Sequence, residues 1–288
     1  MRSILFVLAI CAAGTLCRAK SEVVSDFRRM DSPEHSQSFK ARCSLSCGQA
    51  KWRMDLINFR AHGNRGKWFG LRSSNGCTFG FCELFSFFSL EVNGIPDWKL
   101  QLNPKNCREY VEGDCRGFEY LLNFDGAPVR TRFWMSPDSP YLEGEVRCSL
   151  RGQAVATNLV VRLGSIPSFL DRCPTGGWRF DGYRRFVRTS ARCLGPLEKR
   201  ESIDVIPTDE FFMMADRDYD GTRDGKGNGP SAVLLRTSSA GRIEVGPGWT
   251  TALVLRPNPG EVFRFALLEF ADRRTSNDDF ERILRGKR

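Results

Sequence analysis

The sequence predicts an all-β protein, a large antiparallel β-sandwich (super-sandwich-like) finished by a short C-terminal helix. Three observations predict it. Roughly a dozen short runs alternate apolar and polar residues at the period of half-buried strands, or are apolar throughout. Turn signals separate them about every 8–15 residues. Helical periodicity is almost absent before the last turn signals of the chain.

The runs follow one another in a clear order. Residues 1–19 read as a signal peptide. Arg2 supplies the positive start, Ile4 to Ala13 the apolar stretch, and Cys17-Arg18-Ala19 the small residues for cleavage after Ala19. Ile10 and Leu16 precede the two cysteines of this segment, where a lipidation signal needs a small residue. The apolar run is too short to span a membrane, and no later uncharged run is long enough. The expectation is a protein secreted or periplasmic.

Residues 20–50 are polar and mixed, a leading segment with one strand near its end. Strands are expected at Trp52–Phe59 and Trp68–Leu71, then, after the hairpin signal Asn75-Gly76, in the Phe-rich stretch Thr78–Val92. There Phe79, Phe81, Phe85 and Phe87 fall at period two. Asn93-Gly94 turns the chain. Phe118–Phe124 ends at Asp125-Gly126. Pro128–Met135 follows, with Val129, Thr131 and Phe133 alternating with Arg130, Arg132 and Trp134. Tyr141–Leu150 and Ala154–Leu163 read as a pair around Arg151-Gly152. Trp178–Val187, Ser202–Ile206, Phe211–Ala215, Ala232–Leu235, Arg242–Val245 and Thr250–Leu255 continue the set. Val262–Phe270 is the most apolar and is expected to be central. The sandwich is expected over 51–272. Residues 273–288 hold a short helix and tail, with Ser276 or Asn277 as cap and Asp278, Asp279 and Glu281 in the first turn.

Composition fits a folded, exported protein. Apolar residues make up 41% of the chain, with 22 Phe and 6 Trp as bulky core material. The formal net charge is +9. The basic residues stand as singles and pairs rather than as a concentrated stripe, which argues against a nucleic-acid ligand and leaves an acidic polymer open. Cys43, Cys47, Cys77, Cys82, Cys107, Cys115, Cys148, Cys173 and Cys193 remain after cleavage, an odd set. Export favours local disulfides, most simply Cys43–Cys47, Cys77–Cys82 and Cys107–Cys115. Zinc held by the close pairs 43/47 and 77/82 is the competing use. A catalytic cysteine would want a histidine, and only His35 and His62 exist.

The stretch Pro128-Val129-Arg130-Thr131-Arg132-Phe133-Trp134, followed by Ser139-Pro140-Tyr141-Leu142-Glu143-Gly144-Glu145-Val146, resembles the large twisted sandwiches of the galactose-mutarotase-like group. The likeness is one of general style over about residues 60–270 and implies a carbohydrate-related fold. The group's usual catalytic histidines have no match in this chain, so no catalytic residue is implied.

Three groups of residues carry candidate chemistry. Asp216, Asp218 and Asp220, then Gly221 and Asp224, repeat the opening of an EF-hand-type calcium loop, and Ca2+ is the expected ion. The place of the closing Glu is taken by Gly227, and strand-like runs flank the loop, so it reads as a shortened strand-to-strand calcium loop or as a solvated hairpin. Glu143 and Glu145 share one strand face about 7 Å apart, a spacing compatible with glycosidase acids, with Asp138 nearby. The same pattern arises on any solvated strand face. Trp134, Trp178 and Trp249 are candidate sugar platforms, with Tyr183, Arg184 and Arg185 beside Trp178 for an acidic sugar. No P-loop, dinucleotide fingerprint, nucleophile elbow or His-Glu-x-x-His is present. The sequence therefore points to a secreted carbohydrate- or polymer-binding sandwich. The alternatives are a carbohydrate-active enzyme using the acids and a structural envelope or surface-interaction protein.

Overall fold

The computed structural model describes residues 21–29, 37–48, 50–60, 67–73, 87–137, 139–150, 153–165, 170–172, 178–180, 185–195, 201–216, 230–245, 251–269 and 276–286. The strands in chain order are β1 (Val24–Arg29), β2 (Gln37–Cys47), β3 (Ala50–Arg60), β4 (Lys67–Ser73), β5 (Phe88–Val92), β6 (Ile95–Pro96), β7 (Cys107–Glu112), β8 (Cys115–Phe124), β9 (Ala127–Met135) and β10 (Leu142–Cys148). They continue as β11 (Leu159–Ser165), β12 (Leu170–Arg172), β13 (Trp178–Phe180), β14 (Arg185–Thr189), β15 (Cys193–Leu194), β16 (Glu201–Asp204), β17 (Phe211–Asp216), β18 (Ser231–Leu235), β19 (Ala240–Val245), β20 (Thr251–Arg256) and β21 (Phe263–Glu269). One helix, α1 (Asn277–Gly286), follows.

Two large antiparallel sheets are stacked. One runs β1-β2-β3-β4-β5-β11-β20-β19-β16, with β6 pairing β5. The other runs β15-β14-β17-β18-β21-β10-β9-β8-β7. A third, small sheet is the β12-β13 pair. The predicted all-β sandwich with a C-terminal helix is the fold observed.

The core lies between the large sheets because alternate residues of each strand point inward. Phe133 is its hub. Its ring meets Phe88 at 5.3 Å, Phe118 at 5.6 Å, Phe265 at 6.0 Å and Phe87 at 6.1 Å. Gly144 makes room for Phe265 opposite it, since a Cβ there would come within 2.4 Å of the ring. β21 takes the middle place of its sheet, as its apolar run predicts. Asn93 (φ 53°) and Gly94 (φ 80°) both adopt the left-handed conformation that a tight hairpin requires, and so do Asp125 (φ 50°) and Gly126 (φ 87°).

Other expectations change. β1 pairs with β2 and β2 with β3, so the sheet begins ahead of Lys51. Small core residues mark β2, with Ala41, Cys43, Leu45 and Cys47 buried at period two, and this pattern is quieter than the later runs of Phe and Trp. The runs on either side of Arg151-Gly152 do not pair. β10 joins β9 and β21, while β11 joins β5 and β20 in the opposite sheet. Of Thr78–Val92 only Phe87 to Val92 lies among the described residues, and Phe88, Leu90 and Val92 face the core.

The local disulfides also need correction. Cys43, Cys47, Cys107, Cys115, Cys148 and Cys193 are free thiols. Cys43 and Cys47 lie on one strand, about 13 Å apart by strand rise, where bridged cysteines need Cα atoms within about 7 Å. Cys107 stands opposite Tyr120 and Cys115 opposite Glu112, at opposite ends of the β7–β8 hairpin. Cys77 and Cys82 fall outside the described residues. Burial pushes the Cys43 and Cys107 thiols up to about 12 and Cys148 up to about 11, so all three stay protonated and unreactive at neutral pH.

Candidate functional site

The candidate site is the outer face of the nine-stranded sheet, on the side away from the core. One half of that face is covered. There Phe186, Phe211, Met213, Ala232, Leu234 and Leu268 point outward and α1 lies on them through Phe280 and Leu284, both buried. Ser276 caps the helix: its Oγ accepts from the Asp279 amide at 3.2 Å and donates to the Asp279 carboxylate at 2.8 Å. Arg188 of β14 fastens the helix through Asp278 at 2.9 Å and Glu281 at 2.7 Å.

The other half, over β7 to β10, is open. Its residues fall in rows across the strands. In the first row Tyr110, Gly117, Trp134 and Glu143 stand opposite one another in turn. Gly117 has no side chain to separate its neighbours, and a Cβ there would sit 2.6 Å from the Trp134 Cα and 1.9 Å from the Phe133 carbonyl. The Tyr110 and Trp134 rings therefore meet edge to face above it, with centroids 5.8 Å apart. Both residues are half-buried. Burial, and then a hydrogen bond to Glu112, push the Tyr110 hydroxyl up to about 12, so it remains a donor. Glu143 accepts from Arg236 at 2.9 Å, and the same guanidinium covers Tyr141 at 5.4 Å.

The second row is a ladder of alternating charge: Arg108, Glu119, Arg132, Glu145 and Arg264. Glu119 accepts from Arg108 and, at 2.8 Å, from Arg132. Glu145 accepts from Arg264 at 2.9 Å and lies 3.8 Å from Arg132. The Arg132 guanidinium also stacks on Tyr110 at 4.1 Å. Burial alone would raise the Glu119 carboxyl, but the hydrogen bonds from Arg132 and Arg108 outweigh it and hold the group below the ordinary glutamate range. Each carboxylate of the row is thus held between two arginines, and three arginines against two glutamates leave the row one positive charge in excess.

The structure brings Trp134, Glu143 and Glu145 onto this one face, as period two requires. Glu145 is buried and both acids are tied to arginines, which is the bland use of the spacing. Asp138 lies outside the described residues. Trp178 begins β13 and pairs through its backbone with Arg172. Its side chain, with Tyr183, Arg184 and Trp249, lies outside them too. Tyr110 and Glu119 were not expected as partners of this face. Their alternation along β7 and β8 is readable, but not which strands lie beside them.

Arg185 departs from the expectation of an exposed basic cluster. It is fully buried and stands opposite Asp216, likewise fully buried, across β14 and β17. Both share the inward face of Val187 and Met214. Ser231 and Glu269, opposite each other on β18 and β21, share that face, and Ser165 and Thr251 pair on the facing sheet. The Ser165 hydroxyl meets the Met214 sulfur across the gap at 3.2 Å. This end of the sandwich is therefore a buried polar plug at the root of the stretch that begins with Asp216. Asn277 ties it to α1 by donating to the Asp216 carbonyl at 2.7 Å. Asp218, Asp220 and Asp224 lie outside the described residues, among which no three His, Cys, Asp or Glu side chains group to hold a metal ion.

No family model matches the chain, and no curated protein does. Among solved structures the chain is similar to the alpha-N-acetylgalactosaminidase NagBb from Bifidobacterium bifidum, a quadruple mutant, with a TM-score of 0.41 and 11% identity. The likeness covers 91% of this chain and 38% of that one. No helix among the described residues is long and apolar enough to cross a membrane.

Proposed function

We propose that the chain is an exported carbohydrate-binding protein that holds a glycan on the open half of its nine-stranded sheet. The observation that carries this reading is the half-exposed Trp134 ring at the centre of that face, braced by Tyr110 over a bare glycine. A braced aromatic ring offers a flat apolar surface to a sugar ring at little cost in side-chain entropy. The charged row beside it is already paired, so it supplies fixed donors and acceptors around the platform. Binding without turnover is favoured over hydrolysis because Glu143 and Glu145 are engaged by arginines, whereas a glycosidase acid sits in an apolar pocket.

A glycan array followed by calorimetry on the full chain tests the proposal. Trp134→Ala is expected to weaken glycan binding on the order of tenfold while the melting temperature stays close to that of the parent. Failure to bind any glycan removes the reading. Turnover that disappears in Glu143→Gln replaces it with the enzymatic one.

A further inference from the structure

The third row of the open half differs from the other two. Leu121, Arg130 and Arg147 stand opposite one another in turn on β8, β9 and β10. Like charges directly opposite in an antiparallel pair are unfavourable. In the ladder next to them every arginine meets a carboxylate. Arg130 and Arg147 are both exposed and make no ion pair among the described residues. They line a groove of about 570 Å³, together with Leu121, Leu150 and Glu261. Leu121 and Leu150 are exposed apolar side chains, 37% and 72% accessible. The Glu261 carboxylate, which also lines the groove, accepts from the Asn258 side-chain amide at 3.2 Å.

From this geometry we infer that the groove is an anion subsite, and that the glycan taken by this face is an acidic polysaccharide carrying carboxylate or sulfate groups. The inference rests on the glycan-binding reading above and deepens it. Two guanidinium groups facing each other across one strand pair can offer their paired donors to the oxygens of a carboxylate or sulfate. An anion between them relieves their repulsion. The two leucines offer apolar contact to the ring that bears the charge. Position favours a sugar polymer over a free anion. Arg130 and Trp134 lie on the same face of β9, four residues apart, roughly 13 Å by strand rise. A short oligosaccharide laid along β9 would stack on Trp134, cross the paired ladder and place an acidic unit in the groove.

Calorimetry with the full chain tests this, using an oligogalacturonate, a sulfated dextran oligosaccharide, neutral dextran, inorganic sulfate and a short single-stranded oligonucleotide. Acidic oligosaccharide is expected to bind more tightly than neutral, and to weaken with added salt. Arg130→Ala and Arg147→Ala are each expected to weaken acidic binding on the order of tenfold. Arg130→Lys with Arg147→Lys should recover only part, because the charge returns without the fork. The double alanine variant should melt no lower than the parent, since a repulsive pair is removed. Acidic binding unchanged in the double alanine variant overturns the groove as its site. Neutral glycan bound through Trp134 with no preference for acid overturns the inference and leaves the glycan-binding proposal standing. Inorganic sulfate at micromolar affinity, or the oligonucleotide as the tightest ligand, overturns the acidic polysaccharide. No binding to any glycan overturns both.

Discussion

Two halves of one sheet face follow different rules. Over β14, β17, β18 and the far end of β21 the outward residues are mainly apolar and pack against α1. Over β7 to β10 the outward residues are mostly charged or amphipathic and no helix covers them, although Glu119 and Glu145 are buried among their arginine partners. The boundary falls within a single cross-strand row, where Leu234 and Ala266 give way to Glu143 and Trp134. Apolar core residues lie beneath both halves, interrupted under the covered half by the polar plug of Arg185, Asp216, Ser231 and Glu269. The difference follows what lies above: α1 on one side, and no other described element on the other. The polar half is ordered by charge pairing, which compensates the burial of Glu119 and Glu145.

The sharpest way to break the comparison is to strip the covered half. Phe280→Ala empties the contact of α1 and is expected to cost about 3–5 kcal/mol in urea unfolding, with glycan binding by the folded fraction unchanged. Loss of binding with little loss of stability would show that the halves are not independent. Next comes Gly117→Ala in the open half. The added methyl collides with backbone, so a loss of about 2–3 kcal/mol is expected, together with a change in the near-ultraviolet dichroism of Tyr110 and Trp134.

Glu119→Gln removes the pivot of the charged ladder and is expected to cost about 1–2 kcal/mol. Its pH signature is specific. A carboxyl whose folded pKa is lowered stabilises the fold above its unfolded value, about 4.3 for glutamate, and that stabilisation is lost as pH falls through the folded value. The urea midpoint of the parent should therefore drop on going below about pH 4.3, and drop less in Glu119→Gln. The smallest effect is expected at Arg188→Ala, which loosens the half-exposed clasp on α1 by about 1 kcal/mol or less, read as a small fall in melting temperature that added salt masks.

Much of the fold was legible because it is written locally. The apolar run of β21 announces a strand buried on both faces. Asn93-Gly94 and Asp125-Gly126 announce hairpins, since few other residues adopt positive φ at both turn positions. Ser276 followed by Asp279 announces the start of α1. The site was legible only in part. Alternation placed Arg130, Arg132 and Trp134 on one face of β9, and Glu143 and Glu145 on one face of β10. It left open whether that face meets water or a helix, and which charges stand beside it.

The sequence by itself determined the all-β class, the inward face of most strands and the capped helix, because period, turn chemistry and capping act over a few residues. Only the tertiary structure decided that Tyr110 braces Trp134, that Glu119 and Glu145 are consumed by arginines while Arg130 and Arg147 are not, and that Arg185 and Asp216 meet inside the sandwich. Those outcomes depend on which strands become neighbours and in what register. Long-range pairing settles that, through the fit of whole faces rather than through any short stretch of chain.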